Sequence, residues 1–322
     1  TLLFNTLVLA GATTFITVLL GVPLGTLFSK TDLPFRRLFA VLFIIPLIIP
    51  SYILAVAWFY CMGRFGIVAG VLGETAGIVT SKFLFGFGGT LFVMVSALLP
   101  IVIILTMTYL RMVNQEMEEA GRLYSSWPVV LKKITLPLIS PGIALGALIT
   151  FILTLGEFGV PSFLRFDVYS VESFTRFSAF YDFNSATAAA VPLGIITVIV
   201  LIIERFFLRK KTFVSRAMGS EKKMAIVSLG KYKPYFLIGV SVLVSVLVVV
   251  PLCVLLCKSL SPSAYVEAFV RSTGSIMRSL LYASIGASCL VVFGFFLGYI
   301  LDRKALRLSY VADSIAVFLF AL

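Results

Sequence analysis

The sequence predicts an all-α integral membrane protein, a polytopic bundle of spanning helices, and three observations carry that reading. Of its 322 residues, 60% are hydrophobic and only 12% are charged, against about 45–50% and about 25% in ordinary soluble domains. The mean hydropathy is +1.11. Second, the apolar residues stand in solid blocks of about 20 or more, the length that crosses a ~30 Å hydrocarbon core at 1.5 Å per helical residue. A membrane barrel would instead show ~10-residue segments of alternating polarity. Third, the basic residues segregate between the gaps separating those blocks.

The blocks are residues 2–28, 38–62, 90–110, 143–160, 186–208, 235–257, 280–301, and one running from 308 to the end. The first carries Pro23 and the small pair Gly21/Gly25, and it ends at Lys30. The second follows Arg36 and Arg37 and holds Pro46 and Pro50 one turn apart, which should kink it and could shape a cavity. A glycine-rich stretch, 63–89, precedes the third block and offers either a plain loop or a surface for an outer partner. The third and fourth flank a long polar loop, and a basic linker, 209–233, follows the fifth. Glu204 and Arg205 should snorkel at the inner surface, and Asp313, near the start of the last block, suits a headgroup contact.

Because gaps alternate sides, the basic residues can be sorted. Nineteen of the 26 lysines and arginines fall on one side and seven on the other. Lys and Arg are retained on the cytoplasmic face, so the richer side is inside, where it also favours anionic lipids. The net charge of +12 therefore reports orientation, since no nucleic-acid motif or interleaved aromatic accompanies it. With no histidine, imidazole base and metal-ligand chemistry is excluded. Cys61, Cys253, Cys257 and Cys289 sit in or at the end of apolar blocks, where cysteine behaves as a small hydrophobe; no metal site or disulfide framework follows.

An internal repeat is expected. An offset of 273 pairs Ala10 with Ala283, Gly21/Gly25 with Gly294/Gly298, and Lys30 with Arg303. Both copies run from outside to inside, so the repeat is parallel. Thr1 lies at the outer end of a block and the last block is unfinished, so the sequence reads as a piece of a longer chain. The expected division is a first repeat at 1–208 lacking its first helix, the linker 209–233, and an incomplete second repeat at 234–322.

The polar loop, 112–141, is the most informative stretch. Asn114 can cap a short helix whose first turns carry Glu116, Glu118 and Glu119, favourable to the helix dipole. Pro128 suits the start of a second short helix, with Lys132 and Lys133 opposite its apolar residues. Pro137 and Pro141 should break or kink the chain before the next block.

Glu119-Ala120-Gly121, then Ser125, then Ile134-Thr135-Leu136-Pro137 resembles the signature cytoplasmic loop of ABC transporter permeases, Glu-Ala-Ala, a later glycine, and Ile-x-Leu-Pro. Small residues replace the last alanine and the glycine, and the interval to Leu-Pro is one residue shorter than usual. Gly156-Glu157-Phe158-Gly159-Val160-Pro161 and the two-repeat layout resemble the importer permeases for ferric iron, thiamine and aminophosphonates, in which two six-helix halves are fused.

The resemblance implies the permease of a binding-protein-dependent importer in a bacterial inner membrane, without enzymatic chemistry of its own. The chain would bind no cofactor; ATP and Mg would be used by a separate cytoplasmic ATPase dimer. This agrees with the lack of a Gly-x-x-x-x-Gly-Lys-Ser/Thr phosphate loop. Glu119, Ala120, Gly121, Ser125, Ile134, Leu136 and Pro137 would form the loop that docks on the ATPase, with Gly121 and Ser125 on one flat helix face. An extracytoplasmic solute-binding protein would deliver the solute, ferric iron or a small organic or phosphorus-containing molecule. A second such loop beyond residue 322 would let one polypeptide engage both ATPase subunits, so a homodimer would not be required. Glu157, Pro46 and Pro50 are the candidates for the solute path. The rival readings are an ion-coupled secondary transporter, which should carry mid-membrane charges, and a membrane scaffold, which would not need the loop.

Overall fold

The computed structural model describes residues 1–209, 226–260 and 262–302. It divides into two compact units, Thr1–Val254 and Leu255–Leu322. Among the described residues, seven helices are long and apolar enough to cross a membrane. The expected last span, Asp313, Arg303 and most of the basic linker lie outside the described residues, as do the side chains of Glu204 and Arg205.

In the first unit, α1 (Leu2–Lys30) runs unbroken with Pro23 inside it. The hydroxyls of Thr6, Thr14, Thr17 and Thr26 return hydrogen bonds to carbonyls one turn earlier, as Thr6 does to Leu2 and Thr17 to Thr13, whereas the buried Thr13 hydroxyl has no partner among the described residues. Where it is made, this pairing satisfies polar groups without water. The second expected span is two helices, α2 (Arg36–Ile48) and α3 (Ser51–Met62). At 1.5 Å per residue each alone reaches only about 20 Å; the stretch long and apolar enough to cross here is 51–72, α3 together with the short helix after it, and α2 is not part of it. The break falls at Ile49, which is extended (φ −90°, ψ 130°), because a residue before proline is pushed out of the helical region. Pro46 stays inside α2 and buried, whereas Pro50 is exposed at the break.

The 63–89 stretch contains the short α4 (Ile67–Leu72) and α5 (Glu74–Leu84). Next, α6 (Phe87–Met112) is buried along most of its length, and it forms the axis of the unit. The polar loop holds α7 (Gln115–Tyr124) and α8 (Trp127–Val130) before α9 (Leu136–Gly156). Then α10 (Gly159–Phe163), α11 (Tyr169–Ser178) and α12 (Phe183–Arg209) follow.

Helices α1, α6 and α9 pack together. A Cβ at Gly21 would stand 2.8 Å from Val102 Cβ, and one at Gly25 would stand 2.8 Å from Thr106 Cβ. A Cβ at Gly142 of α9 would run into the Tyr109 ring. In lipid, where helices gain little from the hydrophobic effect, such close backbone approach supplies the association energy.

After the linker come α13 (Lys233–Val244), a π turn (Ser245–Val249) and α14 (Val250–Ser259). Val240, Val244, Leu247 and Val248 share a core with Leu24, Phe28, Phe43, Leu99 and Ile103. Ser96 Oγ donates to the Leu247 carbonyl at 3.1 Å. The compact division thus falls at Val254, later than the start of the expected second repeat at residue 234. The reason is that 240–254 buries its apolar face against α2 and α6.

The C-terminal end of α1 is tied to this returning segment. Val227 N donates to the Lys30 carbonyl at 2.7 Å, and Asp32 accepts from Leu229 N at 2.9 Å and from Lys233 Nζ at 3.1 Å. The Leu229 amide, and then the Lys233 ammonium, hold the Asp32 carboxyl below its usual range. A lowered carboxylate contributes stability above its ordinary pKa of about 3.9 and loses it as pH falls through the lowered value. The melting temperature of Asp32→Asn in detergent is therefore expected to lie below that of the wild type at neutral pH. The gap should close on acidification below about pH 4; a gap that stays constant with pH would contradict this account.

In the second unit, α15 (Pro262–Asp302) is a single 41-residue helix that includes the expected seventh span. Its Gly294 and Gly298, the repeat partners of Gly21 and Gly25, meet nothing within 4 Å.

Candidate functional site

The chain leaves α6 at Val113, whose backbone is extended, and Asn114 then caps α7 by accepting from Glu116 N at 3.0 Å. The expected cap is in place. At its other end Ser125 is not on the helix but is its C-cap, with extended backbone (φ −149°, ψ 156°). Gly121 and Ser125 therefore do not share a helix face, because α7 closes at Tyr124.

The second short helix starts as expected, with Pro128 in its first turn. It does not end before the next span. From Trp127 the chain stays helical through a π turn (Leu131–Thr135) into α9, and neither Pro137 nor Pro141 breaks it. Leu136 N reaches back five residues to the Leu131 carbonyl. Pro137 comes just after the π turn, whose wider spacing accommodates its missing N–H and the change of register.

Gly121 points into the loop. A Cβ there would lie 2.6 Å from Ile134 Cδ1 and 3.3 Å from Val130 Cγ2. Small size at this position lets α7 lie against the α8 segment, so Gly121 and Ile134 act together inside the loop. The outward face of α7 carries Glu119 and Ala120, both exposed, with Leu123 81% and Tyr124 91% exposed. Gln115 Nε2 donates to Glu119 one turn away, and the Arg122 guanidinium stands over the Trp127 ring at 5.4 Å. Pro137 is exposed and Leu136 half-buried at the base of the loop.

Sequence reasoning missed Glu118. It was legible only as a carboxylate favourable to the helix N-terminus, and Lys30 only as a topology charge. In the fold Glu118 is fully buried and its Oε2 accepts from Lys30 Nζ at 2.6 Å, with Lys30 1% exposed. Its Oε1 accepts from Thr135 Oγ1 at 2.8 Å. The single available hint was that Thr135 lies within the Ile-x-Leu-Pro signature.

The solute-path candidates meet in part. Glu157 Oε2 accepts from Ser51 Oγ at 2.9 Å, and Ser51 follows Pro50. Its Oε1 accepts from the amides of Gly159 at 2.9 Å and Val160 at 3.3 Å, which caps α10. The Glu157 carbonyl accepts from Ser170 Oγ at 2.8 Å. The carboxylate thus joins the break in α2–α3 to the start of α10, while the backbone carbonyl of the same residue holds the start of α11. Pro46, one turn deeper than Pro50, is buried in the core with Phe43 nearby in sequence. Because hydrogen bonds to a charged acceptor contribute about 1.5–3 kcal/mol, Glu157→Ala should lower the melting temperature measurably in detergent. Glu157→Gln, which keeps an acceptor for Ser51, should lower it less. Unchanged melting in both variants would show that the bracket contributes nothing.

Comparison with known proteins places this geometry. A family model described as "Binding-protein-dependent transport system inner membrane component" matches residues 18–212, more than half of the chain. The molybdenum transport system permease protein ModB of Mycobacterium tuberculosis is 30% identical over 151 residues, 47% of this chain and 56% of that protein. The putative ferric transport system permease protein FbpB 1 of Haemophilus influenzae is 24% identical over 280 residues, 81% of this chain and 44% of that protein. The chain thus spans about half the length of these relatives. A solved structure of the MetNI methionine ABC transporter in inward-facing form matches with a TM-score of 0.54 at 18% identity, covering 65% of this chain and 94% of that one. It shares the fold. A buried spanning core, a capped helix displayed from a loop between two spans, and a family match across both lead to one statement: the chain belongs to the binding-protein-dependent transport system inner membrane components, the permeases of ABC importers.

Proposed function

We propose that this chain is the translocating subunit of an ATP-driven importer, and that α7 is the surface on which a cytoplasmic ATPase acts. The observation that carries the reading is α7 itself. Its Glu119, Ala120, Leu123 and Tyr124 are displayed outward, while Gly121 and Glu118 fix its inner side to the bundle. An aromatic and an aliphatic side chain more than four-fifths exposed on a ten-residue helix suit a partner's groove better than water. Ser125, Ile134, Leu136 and Pro137 set the position of that helix. ATP and Mg act in the ATPase, and a solute-binding protein presents the cargo on the other side. Pro50 and Glu157, joined through Ser51, form the candidate outer gate, with Pro46 shaping the wall beneath it.

For the cargo we favour ferric iron. The ferric relative aligns over 81% of the chain and through its later helices, whereas the molybdenum relative aligns over 47%. Molybdate is the second reading. The test is uptake into proteoliposomes containing the permease and its ATPase, with ATP inside, solute-binding protein outside, and labelled Fe(III) or molybdate offered separately. ATP-dependent accumulation of iron alone supports the proposal. Accumulation of molybdate alone moves the cargo to the second reading, and uptake without ATP returns the chain to the secondary-transporter class.

A further inference from the structure

We propose that the buried triad Lys30–Glu118–Thr135 is the linkage that passes displacement of α7 to the membrane-spanning bundle, with Glu118 as its positioning residue. The proposal rests on reading α7 as the ATPase-docking helix. Covalently, α7 is poorly placed to transmit force. The chain enters it through extended Val113 and leaves it through extended Ser125, so both ends can swivel. A push on its outer face would be lost as rotation unless something else ties it down.

The Gly121–Ile134 contact resists compression but can slide, since dispersion contacts have no direction. Glu118 supplies direction. One carboxylate oxygen holds Lys30, the last residue of α1, and the other holds Thr135, next to the first residue of α9. Helices α1 and α9 pack on each other and on α6. A single carboxylate therefore joins the docking helix to two spans across 88 residues of sequence on one side and 17 on the other. Charge-assisted hydrogen bonds of this kind are short and directional.

Burial gives the linkage a second property. With Glu118 0% and Lys30 1% exposed, an α7 that swung away would leave two charges without partners in a dry site. The joint thus favours moving α7, α1 and α9 as one body over letting α7 move alone. Lys30 is held from behind as well, since its carbonyl accepts from Val227 N.

The experiment uses the complete transporter, with ATPase and solute-binding protein, in proteoliposomes. It records ATPase co-purification, ATP hydrolysis and solute moved per ATP hydrolysed for Glu118→Gln, Lys30→Met and Thr135→Val. Glu118→Gln and Lys30→Met are expected to co-purify with the ATPase and to lower solute per ATP by about tenfold, within the usual range of coupling energies; Thr135→Val should lower it by a smaller factor. The exchange Lys30→Glu/Glu118→Lys, which restores a buried pair, should recover most of the ratio. A normal solute-per-ATP ratio in Glu118→Gln and Lys30→Met overturns the proposal, because a merely structural pair would change protein yield and not stoichiometry. If the single variants do not accumulate, Lys30→Met/Glu118→Leu leaves no buried ion. Loss of the ratio there supports the linkage and a normal ratio overturns it. Failure of the wild-type chain to bind any ATPase would instead strike the reading of α7.

Discussion

Gly121→Arg is expected to insert and fold in the membrane yet lose ATPase binding and uptake together. The site lies outside every span, so the insertion signal is untouched. Within the loop, however, a Cβ at 121 already stands 2.6 Å from Ile134 Cδ1 and 3.3 Å from Val130 Cγ2. Alanine displaces only the mobile tip of Ile134, so Gly121→Ala should keep most activity. Arginine cannot fit between α7 and the α8 segment without separating them. Burying its charge there unpaired would cost several kcal/mol, so α7 must leave its seat. Co-purification with the ATPase and ATP-dependent uptake are the measurements. A Gly121→Arg protein that binds and transports at the wild-type rate would show that the loop is a plain connector.

Gly25→Leu is expected to have the largest effect on the fold. A Cβ at 25 would meet Thr106 Cβ at 2.8 Å, Thr106 Cγ2 at 2.9 Å and the Ile103 carbonyl oxygen at 3.0 Å. The last of these is backbone and cannot rotate away. Overpacking costs about 1–3 kcal/mol, occasionally more, and here it separates α1 from α6, the axis of the unit. Thermal unfolding in detergent should show a large fall in melting temperature, with the double variant Gly21→Leu/Gly25→Leu worse. The same change at Gly294 or Gly298 is expected to be near neutral in this 322-residue chain, since neither meets anything within 4 Å. Equal losses at both pairs would contradict the packing account.

The polar loop was legible down to its cap. Asn114 bonds Glu116 N as its position before an acidic turn requires, and Pro128 opens a helix as proline does. The proline readings divided by context. Pro50 ends a helix because it forces Ile49 extended, whereas Pro137 and Pro141 lie in a helix whose π turn absorbs the irregularity. Local sequence states the proline's demand but not whether neighbouring geometry can meet it. Gly121 shows the same limit. Its small size was legible, but the direction it faces was not, because that depends on where Ile134 and Val130 return in space.

Sequence by itself determined that this chain spans a membrane, and its basic residues set the expectation of which helix ends and which loop face the cytoplasm. Each of these follows from transfer of single residues into lipid or from charge retention, and such terms add along the chain. Only the tertiary structure decided that Glu118 pairs with Lys30 and Thr135, that Glu157 holds Ser51 and the start of α10, and that 240–254 completes the first unit's core. Those outcomes are pairings between residues up to about two hundred positions apart. A buried charge requires a partner, but the requirement does not say which one. The choice was made by the close glycine packing of α1 on α6 and of α9 on α6, which brought the C-terminal end of α1 and the N-terminal end of α9 together and left Lys30 within reach of Glu118.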